Sequence, residues 1–344
     1  MRAVVQGGYG DPAQVLRVAE VADPVVGAGD VLVRVLAASV HPDVWHVLVG
    51  QPHVLRVMGS GLRRPSPRTP GTDMAGEVVE VGRDVTALAP GDVVFGETIA
   101  GMQWRNGGAW AELVAVPAEW VAALPDRLTP AQAATLPTAG LIVLSNWPQQ
   151  VEIGPGTRVL VNGAAGGVGS IAMQVAGALG AEVTGVDRGD KLDLVRRQGG
   201  DHAIDYTQED FTRSGRQWDV VFDIPGNHAW SRLDPVVAPD GAYVLVGHDG
   251  YGMAGRWLGS IPRVMGLMVR ARRDPRVAMS FEDVDKSVRM ARLVELASSG
   301  GLDPIVGHTF PLEGAADAMA VLASGDARGR IVLDPTMTPD TRGQ

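Results

Sequence analysis

The run Val159-Leu160-Val161-Asn162-Gly163-Ala164-Ala165-Gly166-Gly167-Val168-Gly169-Ser170 constrains this chain more than any other segment. It reads as a hydrophobic strand that breaks into a glycine-rich turn and opens a helix, Ser170 to Leu179. Such a turn is how a protein holds a dinucleotide pyrophosphate. Gly166 lets the backbone approach the phosphates, and Gly169 lets the helix pack on its strand. The helix N-terminus, with Gly167 and Val168 beside it, offers unpaired N–H groups and a positive dipole end. Ala164 stands where the usual pattern has its first glycine, so the match is A-x-G-x-x-G.

With 45 glycines in 344 residues, a glycine triplet arises by chance, and its surroundings must carry the argument. The helix stops at Gly180 and leads into a second apolar strand, Val183-Thr184-Gly185-Val186, which ends at Asp187. That places an acid close to the roughly 20-residue spacing at which a carboxylate meets the adenosine ribose.

Residues 1 to 124 carry short alternating apolar runs broken by Gly, Pro and Asp, among them Val31-Leu32-Val33-Arg34-Val35 and Asp92-Val93-Val94-Phe95. This is the pattern of a compact β-rich domain. From Ala131 onward, segments of helical period alternate with buried strands such as Asp219-Val220-Val221-Phe222-Asp223, as in a parallel sheet. A helix over 283–298, with Val284, Val288, Ala291, Leu293, Val294 and Leu296 inward, and a strand Arg330–Leu333 close the chain. The expected class is α/β: a barrel-like domain, 1–124 with 281–344, and a doubly wound parallel-sheet domain, 125–280.

The length suffices for two domains with separate cores. A formal net charge of −9 leaves no global basic field to collect nucleic acid or an anionic membrane. The absence of cysteine excludes disulfides, thiolate catalysis, cysteine-ligated zinc and iron–sulfur clusters. The chain opens directly on a strand-like segment, Met1-Arg2-Ala3-Val4-Val5-Gln6, and no stretch approaches the roughly 20 apolar residues that span a bilayer. A cytoplasmic protein is the expectation, with membrane association disfavoured.

Beside the glycine turn stand Ala37-Ala38-Ser39-Val40-His41-Pro42-Asp43, Pro70-Gly71-Thr72-Asp73-Met74-Ala75-Gly76-Glu77-Val78, Gly91-Asp92-Val93-Val94, Ala133-Ala134-Thr135-Leu136-Pro137-Thr138-Ala139-Gly140 and Ala327-Arg328-Gly329-Arg330-Ile331-Val332-Leu333. Together these segments resemble the medium-chain dehydrogenase/reductase superfamily, specifically its zinc-free quinone oxidoreductase and enone reductase branch. The resemblance implies a GroES-like barrel domain beside a Rossmann domain, and a homodimer.

Zinc-dependent members of that superfamily hold their metal at positions matching His41, Thr72 and Thr138. Two hydroxyls there are poor zinc ligands, so the resemblance implies a metal-independent enzyme. His41, Asp43, His46 and His53 are close enough in sequence for an improvised metal site, which remains the alternative. Without a metal to polarise a simple carbonyl, hydride transfer needs an acceptor activated by conjugation, a quinone or an α,β-unsaturated carbonyl. The developing enolate then needs a hydrogen-bond donor and a proton. His46 is the first candidate donor, at a position similar to that of an active-site tyrosine in bacterial quinone oxidoreductases, with water as the alternative. His41 replaces an asparagine usual in relatives and reads as cleft-lining, Trp45 as a surface on which a flat acceptor stacks or as packing, and Thr138 as a neighbour of the nicotinamide.

The expected cofactor is NAD(P)H. Asp187 favours NADH because a carboxylate accepts both ribose hydroxyls and repels a 2′-phosphate. Arg188 would offset that repulsion, and Lys191 and Tyr206 match phosphate-binding positions of NADPH-using relatives. Gly247 and Arg330, the latter where relatives usually have lysine, complete the expected cofactor contacts. Two arginine-rich stretches, 56–68 and 256–276, read either as solvated faces or as contacts to a large, anionic or lipophilic ligand. The leading function is a reductase of quinones or enones. A dedicated biosynthetic enoyl or ketone reductase or alcohol dehydrogenase, and a catalytically silent nucleotide-binding protein, stand as alternatives.

Overall fold

The computed structural model describes residues 1–99, 105–247, 250–251, 253–278 and 285–338. Its contacts divide the chain into two compact units, Met1–Thr138 with Lys286–Ser298 and Ile305–Gln344, and Ala139–Asp285 with Ser299–Pro304. The first division falls after Thr138 rather than at 124. Hydrogen bonds from Thr138 N to Asp73 Oδ2 (3.1 Å) and from Arg330 Nη2 to the Thr135 carbonyl (2.6 Å) tie the intervening residues to the first unit. The expected boundary at 280/281 lies outside the described residues.

In the first unit a seven-stranded sheet runs in the order Val306–Phe310, Arg330–Leu333, Asp30–Val40, Asp73–Val81, Val93–Glu97, Val121–Ala123, with Leu113–Pro117 also paired to Asp30–Val40. All of its pairs are antiparallel except the first. Register shifts between Leu32/Val33 and Val35/Ala37 bend the long central strand, which lets it serve three partners. The core closes on Trp110, Phe95, Met74 and Leu48, all fully buried. The last strand pairs Val332 with Ser39 and Ile331 with Val40, so the chain's end is laid beside residues near 40.

The second unit is a six-stranded, wholly parallel sheet ordered His202–Asp205, Glu182–Asp187, Arg158–Asn162, Trp218–Asp223, Val237–Leu245, Val277–Ala278. Its strands are buried on both faces, which is why they read as continuous apolar runs. Strand order reverses at Arg158–Asn162, and the crevice beyond the carboxyl ends of strands at such a switch point is where this architecture binds ligands. The fold class is therefore as expected.

The helix after the glycine turn spans Gly167–Ala178, starting at Gly167 instead of Ser170 because the turn's own glycines take helical geometry. The helix expected over 283–298 is Lys286–Ser299, and 283–284 lie outside the described residues. It buries Met290, Leu293, Leu296 and Ala297 and leaves Val288 and Ala291 exposed, so its inward face is rotated from the expected one. Among the described residues no helix is long and apolar enough to cross a membrane.

Candidate functional site

In the second unit the glycine turn is pinned to the neighbouring strand. The N–H groups of Gly163 and Ala164 both donate to the Val186 carbonyl, at 2.9 and 3.1 Å. Gly163 adopts φ +84°, and a Cβ on Gly169 would sit 2.1 Å from the Gly163 carbonyl oxygen, so only glycine permits the helix to start this close to its strand. Gly166 is exposed at the N-cap, where the only atom near a Cβ would be Gly163 O at 3.2 Å. The first-turn N–H groups of Gly167, Val168 and Gly169 have no intrahelical carbonyl to bond, which leaves them for an anion.

Asp187 is tied to the same turn. Its Oδ2 accepts from Ala165 N and its Oδ1 from Arg188 N, each at 2.8 Å. Asp187 and Tyr206 line a cleft of about 430 Å³ together with Asn162, Gly163, Asp210 and His228. A carboxylate fixed beside a phosphate-sized turn, above a cleft of nucleoside dimensions, fits the adenosine half of a nicotinamide dinucleotide. Arg188 does not line the cleft; its guanidinium pairs with Asp190 at 2.6 Å. Lys191 closes a short turn, Gly189–Lys191, and Gly247 takes φ +69° after its strand, both outside the cleft lining.

The first unit holds a buried polar cluster. His41 is the N-cap of helix Pro42–Val49 but makes no capping bond. Its Nε2 meets Thr72 Oγ1 at 2.7 Å, and Thr72 Oγ1 lies 3.5 Å from Thr138 Oγ1. Thr72 is placed by Gly71, whose φ of +86° and absent Cβ leave room for the Trp110 ring. The three positions that match metal ligands in zinc-dependent relatives thus converge. Their donor set, one imidazole and two hydroxyls already bonded to one another, does not fit a catalytic zinc. Among the described residues no group of three or more His, Cys, Asp or Glu side chains is arranged to hold a metal, so His41, Asp43, His46 and His53 do not form one.

Sequence reasoning passed over the acids beneath this cluster. Asp73 accepts from Thr138 Oγ1 (2.6 Å), Thr138 N and Ser39 Oγ (3.2 Å), and Glu97 Oε1 lies 3.1 Å from Thr138 Oγ1. Glu97 in turn pairs with Lys286 Nζ at 2.6 Å. Burial holds the Asp73 carboxyl above the ordinary carboxylate range in spite of its hydrogen bonds, and it pulls the Arg330 guanidinium down to about 10. Arg330 is therefore part of the first unit's polar core, bonded to Thr135, with Nη1 lacking a hydrogen-bond partner among the described residues. The available signal was compositional: Lys286 is one of only two lysines.

His46 is buried instead of lying on a helix surface, with Nδ1 at 2.8 Å from the Gln51 carbonyl. Trp45 meets it edge-on, centroids 5.2 Å apart, and packs partly against the core. In the second unit the buried Asp223 accepts from Asn162 Nδ2, Gly226 N and the Tyr243 hydroxyl, a network the sequence reading did not single out. Burial raises the Tyr243 hydroxyl, which therefore stays protonated as a donor. The arginine-rich stretches divide: Arg56 lies over the Tyr9 ring at 4.3 Å, and Arg276 pairs with Asp274 (2.9 Å) and with Asp234. Met265, Met268 and Val269 on helix Ile261–Ala271 are exposed.

Two family models match the chain, an alcohol dehydrogenase GroES-like domain over residues 27–126 and a zinc-binding dehydrogenase over residues 198–333. The chain is 30% identical to the chloroplastic quinone-oxidoreductase QR1 of Triphysaria versicolor, over 97% of its length and 98% of the relative's. It is 28% identical to the 2-methylene-furan-3-one reductase of Solanum lycopersicum, over 97% of its length and 79% of that protein's. The solved quinone oxidoreductase of Coxiella burnetii superposes with a TM-score of 0.79 at 27% identity, covering 97% of this chain and 99% of that one.

Proposed function

The chain belongs to the medium-chain dehydrogenase/reductase superfamily, in its quinone oxidoreductase branch, and from that premise we propose that it is a zinc-independent reductase of quinones or α,β-unsaturated carbonyls. It is an oxidoreductase that uses a nicotinamide cofactor. The observation that carries the finer reading is the donor set at His41, Thr72 and Thr138, which offers hydrogen bonds where zinc-dependent relatives place a Lewis acid. Hydrogen bonds polarise a carbonyl less than a metal does, so the acceptor must be activated by its own conjugation. Relatives named as a quinone oxidoreductase and as a 2-methylene-furan-3-one reductase support the same acceptor class.

Bound in the reduced form, the nicotinamide supplies a hydride. The chain's residues then divide the remaining work. The first turn of Gly167–Ala178 holds the pyrophosphate, Asp187 the adenosine ribose, and the first unit's polar cluster orients the acceptor. Asp187, with Glu209 and Asp210 also lining the cleft, favours NADH over NADPH, because each carboxylate repels a 2′-phosphate. The reading includes a homodimer, as the resemblance implies, which sedimentation at twice the chain mass would bear out.

The test is oxidation of NADH and NADPH followed at the nicotinamide absorbance, against a panel of quinones and enones, with and without chelator. Chelator-resistant turnover of several acceptors is expected. Turnover of a single acceptor would make it a dedicated enoyl or ketone reductase, chelator sensitivity would restore a metal, and cofactor binding without turnover would make it a silent binder.

A further inference from the structure

A buried polar atom without a partner is uncommon and calls for a reason. His41 Nδ1 is such an atom. It is sealed from water and has no hydrogen-bond partner among the described residues. The nearest carboxylate oxygen, Asp43 Oδ2, stands 3.7 Å away, beyond hydrogen-bond reach. The other ring nitrogen is firmly held. Thr72 has one hydroxyl proton, and its neighbours lie at 2.7 Å (His41 Nε2), 3.4 Å (Asp73 Oδ1) and 3.5 Å (Thr138 Oγ1). We assign that proton to the shortest contact, which makes Nε2 the acceptor and leaves the ring's own proton on Nδ1.

We propose that His41 Nδ1–H is the donor that stabilises the developing oxyanion of the acceptor, and that Thr72 is the positioning residue that fixes the tautomer. This rests on the reductase reading above. As the β-carbon accepts a hydride and its electron pair, the C=C pair shifts toward the carbonyl and negative charge collects on its oxygen. There the Nδ1–H donates. The α-carbon afterwards takes a proton from solvent, so the acceptor gains one hydride and one proton and the cofactor leaves oxidised. Asp43, whose carboxylate stands 3.7 Å from Nδ1, has a side chain that is 24% exposed.

His46, the donor expected from the sequence, is less suited. Its Nδ1 faces the Gln51 carbonyl, which can only accept, so the proton on that nitrogen is spent there. His41 is also held neutral. Burial lowers its proton affinity, Arg330 adds to the effect, and Asp43 and Glu97 oppose it. A neutral imidazole has a single N–H, and Thr72 decides where it points.

Two readouts test the assignment: turnover of p-benzoquinone and 2-cyclohexenone, and binding of 4-nitrophenol as an oxyanion probe in the presence of oxidised cofactor, read from its phenolate absorbance. His41→Leu removes the donor and is expected to lower kcat roughly 10²-fold or more, the usual effect of losing one oxyanion donor. It should weaken phenolate binding at least about tenfold while leaving oxidised-cofactor affinity unchanged. His41→Asn, whose amide N–H stands near the Nδ1 position, should keep most of both. Thr72→Val should lose part of both, and Thr72→Ser should restore them.

A folded His41→Leu with unchanged kcat and phenolate affinity would overturn the donor role while the reductase reading stood. His41-dependent phenolate binding in an enzyme that turns over neither acceptor would support the donor and sink the reductase reading. No phenolate binding by the unaltered enzyme would overturn the donor. If His41→Leu does not fold, the Thr72→Val and Thr72→Ser pair decides: equal loss in both overturns the tautomer argument.

Discussion

Lys286 Nζ lies 2.6 Å from Glu97 Oε2 in the first unit, and the two side chains are 19% and 3% exposed. The cation also stands 4.6 Å from the centre of the Trp120 ring and bonds the Ile99 carbonyl. Removing one partner of such a pair strands a buried charge. Lys286→Met should therefore destabilise the fold by about 3 kcal/mol. Glu97→Gln in the same chain should recover a large part of that loss, since the carboxylate left behind is what costs. Urea unfolding of both single variants and the double variant measures the coupling, and additive losses would show that the pair is not the cause.

Gly166→Val should weaken cofactor binding without unfolding the second unit. The glycine is exposed with φ −75°, so a side chain is tolerated by the backbone, yet it projects over the N–H groups proposed to hold the pyrophosphate. The expected weakening is at least about tenfold, the loss of one charge-assisted hydrogen bond. Titration of NADH fluorescence reads it, and a parallel thermal melt separates binding from folding.

Asp187→Ser should move the NADH/NADPH preference toward NADPH by roughly tenfold, because a like charge near the 2′-phosphate disappears along with two ribose acceptors. The same change removes the acceptor of Ala165 N, so absolute affinity for NADH should fall as well. An unchanged ratio of kcat/KM values for the two cofactors would take the ribose role away from Asp187.

Acid should expose His41. Burial lowers its folded pKa below the ordinary 6.5, so between those values the unfolded chain binds the proton that the folded one refuses. Its contribution is present above 6.5 and is lost as pH falls toward the folded pKa, with a limiting slope of about 1.4 kcal/mol per pH unit. Asp43 and Asp73 run the other way. Burial raises both above the ordinary 3.8, so they favour the fold most at low pH and lose that contribution as pH rises. Denaturant melts of the unaltered chain and of His41→Asn across pH 7 to roughly 5 isolate the histidine, and parallel curves for the two would deny it.

The sequence by itself determined what depends on local pattern. A strand, a glycine turn and a helix follow one another within twelve residues, Val159 to Ser170, and each glycine's task is a matter of immediate neighbours, so the dinucleotide turn and Asp187 were legible before any fold was known. The parallel sheet was legible for the same reason, since strands buried on both faces must be apolar throughout. In the helix Lys286–Ser299 the expected Leu293 and Leu296 are buried, but Val288 is exposed and Met290 takes the inward place, because apolar residues crowd several sides of this helix and only the packing partner chooses among them. The polar cluster was completed by tertiary structure. Thr72, Thr138 and Arg330 were singled out by the resemblance, but Ser39, Asp73, Glu97 and Lys286, which join them, are scattered over most of the chain, and each is ordinary in its own segment. They acquire shared protons, and Asp73 and Arg330 shifted affinities, only when burial strips them of water and leaves one another as partners.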